Sequence, residues 1–221
     1  MINETNPSLT TRHPSERLYR ISTFWLRVLL RCTGGVTLIG RENIPKTGGV
    51  ILAPNHISYM DPPAVGCYLR RQVHYMAKEE LFRPKLLGAW MRWVGTFPVR
   101  RGTADRMALK QAIDLLCQGR VVCIFLEGTR SPDGKLQDPE LGIGLIALKS
   151  QSPIVPVAVI GTDKLLAPGS KRLYRHRVKI VYGKPLTFPQ PDGGRESRQA
   201  LEEVGRATMS AISELISAHA R

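Results

Sequence analysis

Cysteine, acid and aromatic side chains are all scarce in this chain. Its 221 residues include only four cysteines, Cys32, Cys67, Cys117 and Cys123, spread without the paired spacing of a zinc site or a small disulfide scaffold. Three of them fall inside apolar runs, so the set reads as buried thiols of a protein kept in a reducing cytoplasm. Acidic residues number 18 against 32 lysines and arginines, a net charge of +14 that draws the protein to polyanions, whether nucleic acid, an anionic lipid surface or a phosphorylated substrate. Aromatic residues make up only 6%, and no helix-turn-helix, ribonucleoprotein or zinc-finger pattern accompanies the charge, which weighs against a nucleic-acid-binding protein. No run approaches the roughly 18 uncharged apolar residues of a membrane-spanning helix. The opening stretch 1–17 is polar and lacks the apolar segment of a secretory signal. Without an internal repeat or low-complexity tract to divide it, and with 43% hydrophobic residues, the chain should fold as one domain with a sizeable core.

A basic amphipathic segment lies near the start. Drawn as a helix, residues 16–32 place Leu18, Ile21, Trp25, Val28, Leu29 and Cys32 within an arc of roughly 100°, with Arg17, Arg20, Arg27 and Arg31 grouped on the other side. Such a helix suits the headgroup boundary of an anionic leaflet, and it also suits packing on its own domain. Periodicity leaves both open.

Beyond it, β-rich apolar runs at 36–39, 50–53, 73–77, 97–99, 121–126, 154–160 and 178–182 alternate with helical patterns at 62–69, 86–94, 104–117, 142–150 and 197–219. This alternation predicts an α/β fold, a single sheet of about seven strands covered by helices. Residues 1–35 form a tail and amphipathic helical segment, and 36–221 the α/β domain.

Polar groups crowd the end of the second strand, in Asn55, His56, Ser58 and Asp61. Asp61 precedes Pro62 and Pro63, a helix-start signal in which the carboxylate caps the first turn. His56, five residues earlier, can fold back so that one ring nitrogen meets Asp61 and the other faces outward as a base. The residues alone also permit turn and cap roles for Asn55, His56 and Asp61. Ser58 as a nucleophile is disfavoured, because no Gly-x-Ser-x-Gly elbow surrounds it. The fifth strand ends in a second polar block. There Glu127 and Arg130 flank Gly128 and Thr129, Gly allows close backbone approach, and the guanidinium fork matches phosphate oxygens. A phosphomonoester fits such a block, although Ser-Pro-Asp-Gly at 131–134 alone reads as a surface turn.

These blocks resemble the membrane-associated glycerolipid acyltransferases, which include the 1-acyl-sn-glycerol-3-phosphate (lysophosphatidate) acyltransferases. Asn55-His56-x-Ser58-x-x-Asp61 resembles the catalytic block of that family, and the stretch 125–131 its acceptor-binding block. The stretches 78–82 and 95–101 are similar to the second block, and 154–159 to the fourth, so the resemblance covers about residues 36–185. It implies that His56 is the general base on the acceptor hydroxyl and that Asp61 orients it. Arg130, Arg101 and Lys78 would hold the acceptor phosphate. Glu127 and Gly128 would position the acceptor, and Asn55, Ser58 and Thr129 would line the same site. The implied reaction passes a fatty acyl group from acyl-coenzyme A or acyl-carrier protein directly to a lysophospholipid, with neither metal nor cofactor, on the cytoplasmic face of an anionic membrane.

This sequence departs from the family pattern in places. Leu126 stands where proline is usual, Pro84 falls one place early, and Arg100 occupies a position often acidic. Glu140 precedes Gly142 where an aromatic and a lysine are common, which bears on acceptor choice. Glycerol-3-phosphate or another lyso-lipid is therefore an alternative acceptor. His13, His74, His176 and His219 have no placed acidic partner and are read as non-catalytic.

Overall fold

The computed structural model describes residues 15–100, 105–131, 134–167, 169–170, 172–190 and 197–220. Strands β1 (Val36–Ile39), β2 (Val50–Pro54), β3 (Val73–Lys78), β4 (Phe97–Val99), β5 (Val121–Cys123), β6 (Ile154–Ile160) and β7 (Val178–Tyr182) form one sheet in the order β1-β7-β6-β2-β5-β3-β4. From β6 through β2, β5 and β3 to β4 every pairing is parallel, β7 runs antiparallel to β6, and β1 follows β7. The carboxyl ends of those five strands therefore share one edge.

The apolar runs form strands because both faces of the sheet are covered. Along β2, Val50 and Leu52 enter one core while Ile51 and Ala53 enter the other. The first core lies under α1 (Glu16–Cys32) and α2 (Asp61–Gly66), through Leu30, Ala64 and Val65. The second lies under α4 (Arg106–Cys117), α5 (Gly142–Ser150) and α7 (Arg198–His219), through Leu116, Ile146, Val204 and Ile212. Helix α3 (Lys85–Trp93) connects β3 to β4, and the short α6 (Thr162–Leu165) follows β6. Ser15, Asp105 and Ser197 cap α1, α4 and α7 with side-chain oxygens, which fixes where those helices start.

Some expectations need correction. The fifth strand stops at Cys123 rather than 126, because the chain turns at once: the Gly128 amide donates to the Phe125 carbonyl at 3.1 Å. Helix α6 carries no sequence period, being four residues long. Of the cysteines, Cys67 and Cys123 are buried but Cys32 and Cys117 reach the surface, and all four are free. Burial pushes the Cys67 thiol up to about 12 and Cys123 well above its usual range, so both are unreactive.

Helix α1 packs one face on the domain and leaves another open. Thr23, Leu26 and Leu30 turn toward the domain, and the Tyr19 hydroxyl accepts from the Val73 amide at 3.2 Å. The stripe of Ile21, Trp25, Val28, Leu29 and Cys32 faces outward, joined by Phe24.

His74 on β3 is buried, and its Nδ1 lies 3.1 Å from the Gly95 carbonyl. Burial lowers its pKa, only partly opposed by that carbonyl, so the folded protein favours the neutral ring. The unfolded chain then takes up the proton first as pH falls through about 6.5. The contribution of His74 is full above that pH and is lost below it. His74→Asn keeps a donor for Gly95 without titrating. The stability of wild type relative to this variant should therefore decline between about pH 7.5 and 5.5 in denaturant titrations, and a constant difference would contradict the assignment.

Candidate active site

Five parallel strands deliver their following loops to one edge of the sheet, the usual ligand position in such folds. After β2 come Asn55 to Asp61, after β5 Glu127 to Arg130, and after β6 Thr162, while Lys78 closes β3 and Arg100 follows β4.

At the centre, His56 Nδ1 lies 2.8 Å from Asp61 Oδ2. Asp61 is fully buried, and the same oxygen accepts from the amides of Ile57 and Ser58, each at 2.7 Å. Its other oxygen accepts from the Thr162 hydroxyl at 2.5 Å. This revises the expected cap. Asp61 is the first residue of α2, Met60 occupies the cap position, and the carboxylate turns back onto the loop instead of forward onto the helix. Four donors converging on one buried carboxylate fix it in place. With its proton on Nδ1, His56 presents Nε2 as an acceptor, and this atom has no partner among the described residues. Phe125 stacks on the imidazole with ring centres 4.0 Å apart, so the ring cannot swing.

The second block grips the first through the backbone. Glu127 Oε1 accepts from the His56 amide at 3.0 Å, and the Ser131 amide donates to the His56 carbonyl at 2.8 Å. Glu127 Oε2 accepts from the Gln137 amide at 3.3 Å. Burial raises the Glu127 pKa against the pull of those two amides. Glu127 therefore clamps the two blocks together through the backbone. Asn55 and Ser58 hold the backbone as well. The Asn55 amide pairs with both backbone groups of Val159, at 3.0 and 2.7 Å, extending the β2–β6 ladder by one rung. Ser58, fully buried, donates to the Leu166 carbonyl at 2.9 Å and accepts from the Met60 amide at 3.2 Å, which removes it as a nucleophile.

Gly128 sits at φ 63°, and a Cβ there would strike the Glu140 carboxylate, so the unusual acid packs against the turn of the second block. Beside it Thr129 is exposed, and Arg130 lies across Tyr59. The guanidinium carbon is 3.6 Å from that ring centre, and Nη2 donates to the Tyr59 hydroxyl at 2.9 Å. Lys78 is at the same edge but pairs with Glu80 at 3.1 Å. Arg101 lies outside the described residues. Thr162 and Tyr59 went unnoticed in the sequence. Thr162 carried the signal used elsewhere, a polar side chain just past a buried strand, and Tyr59 lay inside the first block. Among the described residues no group of three or more His, Cys, Asp or Glu is placed to hold a metal ion.

The whole chain can be set beside known proteins. A sequence model of the family described as Acyltransferase matches residues 35–160, more than half the chain. The 1-acyl-sn-glycerol-3-phosphate acyltransferase of Bacillus subtilis is 34% identical over 171 residues, covering 76% of this chain and 82% of that one. A chloroplastic protein of the same name from Arabidopsis thaliana is 28% identical over 176 residues, covering 78% of this chain but only 49% of its own length. The crystal structure of the 1-acyl-sn-glycerophosphate acyltransferase PlsC from Thermotoga maritima superposes with a TM-score of 0.65 at 30% identity, covering 88% of this chain and 77% of that one. The edge that carries the His56–Asp61 pair falls within the matched segment, and the chain belongs to the acyltransferase family.

Proposed function

We propose that this acyltransferase moves a fatty acyl group from a thioester donor to the free sn-2 hydroxyl of lysophosphatidate, giving phosphatidate. The observation that carries the reading is the oriented His56–Asp61 pair, with Nε2 unpartnered and Arg130 three residues past the Glu127 clamp. Nε2 takes the proton of the acceptor hydroxyl as its oxygen attacks the thioester carbonyl. The imidazolium that forms is stabilised by Asp61. As the tetrahedral intermediate collapses, the C–S bond breaks and the proton passes from His56 to the leaving thiolate. No acyl group is attached to the enzyme, in keeping with the buried, engaged Ser58. Holding both reactants beside Nε2 supplies a further share of the rate. Acyl-coenzyme A and acyl-carrier protein present the same thioester to this chemistry.

The acceptor is a lipid, and α1 turns Trp25, Phe24 and Ile21 outward beside Arg17 and Arg20. We infer that the protein lies peripherally on the cytoplasmic face of the membrane, its aromatics at the acyl boundary and its guanidiniums on anionic headgroups. No helix among the described residues is long and apolar enough to cross a membrane.

Arg130 is the group that selects a phosphate monoester. Arg130→Ala removes charge-assisted bonds worth about 1.5–3 kcal/mol, so the KM for lysophosphatidate should rise roughly ten- to a hundredfold while kcat changes little. A panel containing lysophosphatidate, glycerol-3-phosphate and a zwitterionic lyso-lipid tests the acceptor. Preference for the zwitterion, or an unmoved KM in the variant, would refute the assignment. Thr162 acts through Asp61. Thr162→Val leaves a buried carboxylate oxygen without its donor and should lower kcat about tenfold with KM unchanged. Thr162→Ser should restore the rate, and no rescue would mean that the methyl rather than the hydroxyl matters.

A further inference from the structure

All three tryptophans of this chain, Trp25, Trp90 and Trp93, are on its surface, at 63%, 40% and 37% exposure. Large indole rings ordinarily bury most of their area, so a shared outward placement requires a reason. Trp25 belongs to α1, and the other two belong to α3. The helices are joined by two hydrogen bonds. Trp90 Nε1 donates to Ser22 Oγ at 3.0 Å, and the Ser15 amide donates to the Trp93 carbonyl at 2.9 Å. These contacts run in opposite order along the two helices, which are therefore antiparallel. On α3 the outward stripe is Leu86, Trp90 and Trp93, at helical spacing, with Leu87 beside it, and Leu86 is 89% exposed. Only Gly88 of α3 is fully buried. On α1 the apolar arc that flanks Ser22 contains Ile21, Trp25 and Leu29. The Trp90–Ser22 bond sets the two arcs side by side, and adjacent exposed apolar residues mark an interaction surface where singly scattered ones do not.

We propose that α3 is a second lipid-contacting element, forming with α1 a two-helix platform that seats on an anionic bilayer. This extends the membrane reading of α1 and rests on the acceptor being a lipid held in a bilayer. Charge selects the occupant. Arg83, Lys85 and Arg92 accompany the α3 stripe, and residues 81–93 contain no acid. Arg17 and Arg20 border the α1 arc, whose helix has Glu16 as its sole acid. A second copy of the chain docked on this face would bring like charges together, whereas anionic headgroups meet them. The tryptophans suit the interfacial depth. The platform also has a direction. Helix α3 begins seven residues past Lys78, after the short 3-10 turn Glu79–Phe82, and α1 ends near β1, whose amino end lies at the active-site edge because β1 opposes β2. The amino end of α3, with Leu86 and Leu87, is therefore the end of that helix on the active-site side of the sheet.

The tryptophans are also the reporters. Trp25→Phe leaves only Trp90 and Trp93, both on α3. This variant is mixed with vesicles of phosphatidylcholine and phosphatidylglycerol, with ordinary or brominated acyl chains, while acyl transfer to detergent-dispersed lysophosphatidate is followed on the same preparations. The emission should shift to the blue on anionic vesicles and fall about twofold with brominated chains. Leu86→Glu should weaken vesicle cosedimentation about tenfold. Sedimentation of Trp25→Phe with unshifted, unquenched emission would overturn the α3 proposal and leave α1 as the sole anchor. A blue shift that grows with protein concentration in the absence of vesicles would overturn it in favour of a second copy of the chain. Wild type that transfers acyl groups in detergent yet fails to bind vesicles would overturn the platform while sparing the enzymatic reading. Absence of transfer in detergent counts against that reading alone, because fluorescence does not depend on turnover.

Discussion

His56→Ala is expected to lower kcat for acyl transfer about 10³-fold, within the range of about 10²- to 10⁴-fold for a positioned general base, and to leave the fold standing. The reason is in how His56 is used. Its backbone amide and carbonyl, which survive the substitution, hold Glu127 and the Ser131 amide, while only the ring meets Asp61 and Phe125. Asp61 keeps three of its donors, from Ile57, Ser58 and Thr162. The variant should therefore bind lysophosphatidate with near-normal affinity and unfold in one cooperative step a little below wild type. Activity assays paired with thermal unfolding check both halves. Loss of activity together with loss of the folded baseline would make His56 structural rather than catalytic.

The second large effect belongs to the buried carboxylate. In Asp61→Asn the amide oxygen can take the place of Oδ2, accepting from His56, Ile57 and Ser58, while the amide nitrogen donates to the Thr162 hydroxyl. Geometry and tautomer are retained and only the charge is lost. With no anion to stabilise the imidazolium, kcat should fall on the order of 10²- to 10³-fold with the fold near wild-type stability. Asp61→Ala separates the two contributions. It leaves two amides and a hydroxyl buried without an acceptor at about 1–3 kcal/mol each, and it should unfold well before Asp61→Asn. Equal stability of the two variants would show that the carboxylate is not the hub of this loop.

Much of this was readable from residue order. The five parallel strands announce themselves as mainly apolar runs because a sheet covered on both faces favours apolar side chains, with His74 on β3 the buried exception, and the polar blocks follow strands because ligands sit where those strands end. What order cannot show is which polar groups of a block turn inward. Asn55, Ser58 and Glu127 belong to the motif as much as His56 does, but each is buried and must satisfy its oxygens and nitrogens within the protein. The resemblance implies a place for those residues at the acceptor, and the hydrogen bonds show what each holds within the scaffold. Thr162 escaped notice because its partner is 101 residues away in sequence. On α1 a helical wheel located the apolar arc correctly but not its neighbour, since only the folded α3 shows that the arc of a second helix lies beside it. Tyr59 is similar: nothing in its immediate neighbours predicts that it lies under a guanidinium.

The central claim is that His56 Nε2 deprotonates the hydroxyl of a lysophosphatidate acceptor. It is tested most directly by mass spectrometry of the lipid products when wild type and His56→Ala are each incubated with detergent-dispersed lysophosphatidate and, separately, an acyl-coenzyme A and an acyl-carrier-protein thioester. Phosphatidate from wild type with at least one donor, and a rate about 10³-fold lower from the folded variant, is the predicted result. Phosphatidate formed equally by both proteins would contradict the mechanism, and none from folded wild type with either donor would contradict the acceptor.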